Sequence, residues 1–250
     1  MREPWLLLRG LARESGHWGD FIRQMQAAFP DQPITCLNLP GTGQFFQQTS
    51  PNQIQTIVEI SRQNALKAGL LNQPINLLTI SLGGMVGWEW MQRYPNDINR
   101  LVVINTSFAN LSPFYQRLRW QRYMDLLSLL SKADLQAREL AILQKVSNLN
   151  PALLQIIAKH WAELARTRPI SAKTCLNQML AASRYDAGSN APLKPVLLIN
   201  SLGDQLVSPA CSQAIQQHYQ LPLLSHPSAG HDLPLDDASW LIAQLKTTAI

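Results

Sequence analysis

Short apolar runs alternate with longer amphipathic stretches along most of the chain. The runs fall at 4–9, 33–38, 75–80, 100–105, 195–200 and 221–225. They are apolar at nearly every position, as strands are when a parallel sheet is covered on both faces. Between them, helical periodicity marks about 18–29, 52–68, 83–94, 208–219 and 236–246. Strands alternating with helices predict an α/β fold: one parallel sheet with helices on both faces.

The alternation stops between Asn110 and Ala191. Met124–Leu130, Arg138–Val146, Pro151–Leu164 and Pro169–Ala182 read there as amphipathic helices, with Pro151 and Pro169 each suited to a first helical turn. The turn-rich segment Gly188–Pro195 then returns the chain to the sheet. The expected organisation is a core of residues 1–110 and 191–250 with a helical insertion at 111–190.

The densest chemical signal is Ile75-Asn-Leu-Leu-Thr-Ile-Ser-Leu-Gly-Gly-Met85. An apolar strand runs into Ser81, two glycines follow, and a helical segment begins. That order describes a sharp strand–turn–helix elbow with the serine hydroxyl at its tip. The N–H of Leu82 then lies at a helix N-terminus, where it can face a developing oxyanion. A serine needs a base and the base needs an anion. Asp204 follows the apolar run Pro195–Asn200, and His231 lies in the small-residue loop Ser228–Pro234. Asn105-Thr106-Ser107, after the preceding strand, offers no acid.

With these residues in place, the chain resembles the α/β-hydrolase superfamily, and within it the small bacterial carboxylesterases. Trp5–Leu11 resembles the strand ending in His-Gly-X, Asn38–Gly43 the Asp-Leu-Pro-Gly-X-Gly loop, Thr79–Gly83 the Gly-X-Ser-X-Gly elbow, and Leu198–Pro209 with Gly230-His231 the acid and histidine loops. The resemblance implies about six parallel strands, with the insertion as a lid. It implies a triad of Ser81, Asp204 and His231, an oxyanion hole from the amides of Leu11 and Leu82, and no cofactor or metal. The implied activity is hydrolysis of a small-molecule acyl ester through an acyl-enzyme. Alternatives are an ester or thioester carried on an acidic acyl-carrier protein and, in a different class, a non-catalytic binding protein on the same fold. Three positions depart from the pattern: Thr79 for the first elbow glycine, where its β-branch is expected to crowd the neighbouring helix, Arg9 for histidine, and Asn38 for aspartate.

Composition changes this picture little. Hydrophobic residues make up 46% of the 250 positions and charged residues 15%, against roughly 25% in typical soluble domains. No apolar run reaches the ~18–20 residues of a membrane span. The N-terminal apolar stretch is too short for a signal peptide. Widely spaced Cys36, Cys175 and Cys211 suggest reduced thiols and a cytoplasmic location. Charge is uneven: residues 111–190 hold 11 Lys/Arg and 5 Asp/Glu, a net of +6, against −1 elsewhere. A solvated helical face explains that excess, and so does attraction of an acidic substrate or carrier. No module or dense basic run points to nucleic acid. Arg117, Arg119 and Arg122 lie in an unusual aromatic-basic run and are candidates for binding a carboxylate or phosphate. Arg9 is a candidate for contacting substrate or a lid acid, and His17 for substrate binding at the edge of the pocket.

Overall fold

The computed structural model describes residues 3–119 and 134–248. Six parallel strands form one sheet: β1 (Trp5–Leu8), β2 (Ile34–Leu37), β3 (Ile75–Ile80), β4 (Ile98–Ile104), β5 (Val196–Ser201) and β6 (Leu223–His226), in the order β2-β1-β3-β4-β5-β6. Successive side chains in each strand serve opposite faces, as the two-residue period requires. Leu6, Leu8, Leu77, Leu101, Val103, Val196 and Leu198 join a core under α2 (Ile54–Lys67), α3 (Leu82–Arg93) and the helix Pro209–Tyr219. Trp5, Leu7, Leu78, Ile80, Val102, Ile104, Leu197 and Ile199 join a second core, under α1 (Phe21–Ala28) and the helix Ala238–Thr247. Nearly all of these side chains are out of contact with water, which at roughly 25 cal/mol per Å² makes them the main stabilising element.

Strand order reverses between β1 and β3, the switch point at which open α/β sheets place their ligand crevices. Gly10 and Leu11 follow β1, and Ser81 follows β3.

Between β4 and β5, the described residues form α4 (Phe114–Arg117), α5 (Leu135–Val146), α6 (Pro151–Thr167) and α7 (Ala172–Arg184), with no strand among them. The segment Met124–Leu130 and Arg122 lie outside the described residues. Pro151 does open α6, behind an Asn150 cap. Pro169 does not open α7: Ser171 caps that helix by accepting from the Thr174 N–H, so it starts at Ala172. The first predicted helix is also divided. Gly19 has φ +52°, a conformation that ends the 3₁₀ turn Ser15–Trp18 and delays α1 to Phe21. Helices α8 (Pro209–Tyr219), α9 (Leu233–Asp236) and α10 (Ala238–Thr247) complete the chain. Among the described residues, no helix is long and apolar enough to cross a membrane. The three cysteines are free thiols.

Candidate active site

Ser81 has φ 58° and ψ −121°, which strains any residue carrying a Cβ. The elbow is held by its backbone. Ser81 N–H donates to Ile104 O (2.9 Å), Gly84 N–H donates to Ser81 O (2.9 Å), and Thr106 Oγ1 donates to the same carbonyl (2.8 Å). Thr79 sits in this elbow without displacing α3, because Gly87 faces it. A Cβ on Gly87 would lie 2.8 Å from Thr79 Cγ2. The expected crowding is therefore relieved from the helix side, and Thr79 Oγ1 donates to Val102 O at 2.8 Å.

His231 is buried, and its Nδ1 lies 2.7 Å from Asp204 Oδ2. Asp204 is fixed in turn: its Oδ1 accepts from the N–H groups of Leu206 (2.7 Å) and Val207 (3.0 Å). An acceptor at Nδ1 places the proton there and leaves Nε2 as the basic nitrogen. Burial alone would hold the imidazole below its ordinary value, but the charge of Asp204, its hydrogen bond and the charge of Asp232 outweigh burial, and the pKa is raised. Ser81 Oγ makes no hydrogen bond to His231 among the described residues. Such contacts tighten in many enzymes only when substrate is bound.

The loop after β1 reaches the elbow directly: a Cβ on Gly10 would lie 3.0 Å from Ser81 Cβ and 3.5 Å from its Oγ. Neither the Leu11 nor the Leu82 amide is given to a protein acceptor among the described residues. Asn38 braces this loop, accepting from Ser15 N–H (2.7 Å) and donating to Gln44 Oε1.

Arg9 points away from solvent and grips Asp232 with two hydrogen bonds of 2.9 and 2.5 Å. His17 is buried beside Trp161 of α6, ring centroids 4.8 Å apart, with Arg13 donating to its Nε2 at 3.1 Å. Arg117 is committed to the end of α7, donating to the carbonyls of Ala182 (2.5 Å) and Ser183 (2.9 Å). Arg119 is bound through its backbone to Leu206 O, at the acid loop (3.0 Å). Among the described residues, no three His, Cys, Asp or Glu side chains are grouped so as to hold a metal ion.

Asn105, which offers no acid, instead braces the site. Its Nδ2 donates to Ser201 Oγ (3.0 Å) and His231 O (2.8 Å), and its Oδ1 accepts from Ser201 N–H (2.8 Å). It thereby joins the ends of β4 and β5 to the histidine loop, at φ 47°. Asparagine is one of the few side chains enriched at that φ, and this was its only signal in sequence. Asp236 does a related job, accepting from Gly230 N–H (2.6 Å) and from Ser147 Oγ (2.5 Å).

A family model described as "alpha/beta hydrolase fold" matches residues 4–238, so the chain belongs to the α/β-hydrolase family. Solved structures show the same fold. A hydrolase from Pseudomonas aeruginosa PA01 is similar at TM-score 0.74 and 19% identity, over 97% of this chain and 88% of that one. A thermophilic esterase from Thermogutta terrifontis is similar at TM-score 0.67 and 15% identity, over 98% and 88%. The RedJ thioesterase of the prodiginine pathway in Streptomyces coelicolor is similar at TM-score 0.67 and 14% identity, over 98% and 86%. No functionally curated protein matches the chain.

Proposed function

We propose that the chain is a serine hydrolase that cleaves a carboxylic ester through an acyl-enzyme. The observation that carries this reading is the 2.7 Å bond from His231 to Asp204, made by loops on the sheet edge where the strained Ser81 elbow stands. A serine serving only as a helix cap needs neither the strain nor an oriented imidazole nearby. His231 Nε2 takes the Ser81 proton as Oγ attacks the carbonyl, the amides of Leu11 and Leu82 hold the oxyanion, and Asp204 stabilises the imidazolium. The imidazolium gives its proton to the departing alcohol. Water then deacylates the enzyme with His231 as base. In this reading residues 111–190 are a lid, and α5–α7 shape the acyl pocket.

The test is a fluorophosphonate probe followed by a chain-length series of p-nitrophenyl esters. Labelling at Ser81 with turnover supports the reading. A protein that neither labels nor turns over would be a binding protein on a hydrolase fold.

A carrier-linked ester or thioester is the second reading, and the net charge of +6 in residues 111–190 favours it. Arg117 contributes little to such a surface, because its guanidinium is spent on α7. Steering of an acidic carrier would make the rate fall with salt, as the Debye length shrinks to about 8 Å at physiological ionic strength. The same acyl group on a neutral alcohol should lack that dependence.

A further inference from the structure

Arg9 and Asp232 form a buried ion pair that the proposed chemistry does not use. Their side chains are 5% and 3% exposed. The Arg9 guanidinium also lies 4.8 Å from the centroid of the Trp18 ring. Each partner adjoins a candidate group: Arg9 precedes Gly10-Leu11, and Asp232 follows His231. Asp232 cannot easily drift, since its own N–H is held by Val146 O at 2.7 Å.

Stability alone does not explain such a pair, because apolar residues of similar volume often serve as well in a buried position. Its placement does. Three charged groups act on His231: Asp204 from the loop after β5, Asp232 from its own loop, and Arg9 from the loop after β1. The two carboxylates favour the imidazolium and the guanidinium opposes it. An unpaired Asp232 would be a second anion beside the imidazole, competing with Asp204 and holding the base in its protonated, useless form.

We propose that the Arg9–Asp232 pair is a charge-cancelling clamp that leaves Asp204 as the one uncompensated anion acting on His231, and that ties the histidine loop to the loop carrying Leu11. Arg9 and Asp232 are positioning residues in this account. The proposal rests on the serine-hydrolase reading for its use, but the charge effect can be measured without turnover.

The experiment is an NMR titration of the His231 ring nitrogens in the full chain, assigned with His231→Asn. The variants are Arg9→Gln, Asp232→Asn and the double variant. Asp232→Asn leaves the guanidinium alone and should move the His231 midpoint down by about one unit; Arg9→Gln leaves the carboxylate alone and should move it up by about one unit. The double variant should return near the wild type. A merely structural crosslink would not give shifts of opposite sign. If both single variants move the midpoint the same way, or if Asp232→Asn leaves it in place, the clamp is overturned. Should one single variant fail to fold, the other single and the charge-free double variant decide. Fluorophosphonate labelling of the wild type is run alongside. Without labelling the hydrolase reading fails, while the titration still settles the clamp.

Discussion

The sheet and the helices α5–α7 are held by different forces. In the sheet, β1, β3, β4 and β5 are packed between two apolar layers whose members are almost wholly buried. Helices α5 and α6 have a small apolar cluster of their own, Leu143, Leu154, Ala158 and Trp161, while Ala181 of α7 joins the core under α2 and α3. Their attachment to the loops after β1 and β2 is largely polar. Arg13 pairs with Glu139 (2.8 Å), Arg168 with Glu14 (2.6 Å), Gln178 accepts from Ala12 N–H (2.8 Å), and Asn177 donates to Ser50 O (2.7 Å). Burial is indifferent to pH and strengthened by many salts, whereas ion pairs and hydrogen bonds respond to both. Ser81, at the end of β3, is set by the first kind of force; Asp204 and His231 follow β5 and β6, but their loops are also held by hydrogen bonds from Leu206, Val207 and Asn105 and to Val146 O of α5. The Leu11 segment lies between the two, springing from β1 but anchored to the helices.

The sharpest test of the sheet-borne part is Ser81 itself. Ser81→Ala should lower ester turnover by on the order of 10⁴-fold or more, since such residues act as a unit. Ser81→Gly should be equally inactive yet more stable by about 1 kcal/mol, because the strain at φ 58° is relieved. Chemical denaturation of both variants checks this. A less stable glycine variant would mean that the elbow stores no strain.

Next in size is the acid. Asp204→Asn should cost up to ~10⁴-fold in kcat, by analogy with triads in which the acid fixes the tautomer. Asp232→Asn should cost far less. A reversal of that order in steady-state kinetics would move the acid role to Asp232.

The comparison itself is broken or sharpened by a matched pair of variants. Leu78→Ala, in the middle of β3, should lose ~2–5 kcal/mol of stability with the kcat of the folded protein little changed. Glu139→Gln should lose less, about 1–3 kcal/mol as a charged hydrogen bond is broken, yet depress kcat by loosening the loop that carries Leu11. Equal kcat effects would show that the loop is positioned by β1 alone.

The smallest effect concerns pH. Burial, then the nearby Arg13 and Arg9 charges, hold the His17 pKa well below its ordinary value. A base with a depressed folded pKa is stabilising when neutral in both states, and that contribution is lost as pH falls below the unfolded value of about 6.5. Acidification should therefore loosen the Arg13–His17–Trp161 contact before the sheet responds. His231 has the opposite sign: its raised pKa adds stability at low pH that fades as pH rises through the folded value. Its activity limb should accordingly lie above the ordinary imidazole range. Amide exchange at residues 11–18 against sheet amides, measured from pH 7 to 5, separates the two regions.

Much of this was legible in sequence because apolar runs and elbow chemistry are local. Strands such as Ile75–Ile80 announce themselves by composition, and the order Ser81, Asp204, His231 is visible without coordinates. What the pattern concealed was pairing across distance. Nothing near Arg9 in the chain indicates that it meets Asp232. Asn105 reads as a missing acid until Ser201 and His231 are seen around it. Arg117 reads as a free cation until the α7 carbonyls are found against it. Ser171 and Gly19 are local signals whose weight against Pro169 and an apolar helix could not be judged from propensity alone.

The fit of Thr79 to Gly87 makes the two positions epistatic. A motif spelled along one strand treats the threonine as a defect to be repaired. Across the strand–helix interface the small residue has only changed sides. Reverting Thr79 to the consensus glycine would open a void against Gly87 and discard the bond to Val102, so the family-like sequence should be the less stable one. In the other direction, Gly87→Ala should cost ~1–3 kcal/mol through overpacking. Thr79→Ser, which removes Cγ2 but keeps the hydroxyl, should recover most of that loss in the double variant.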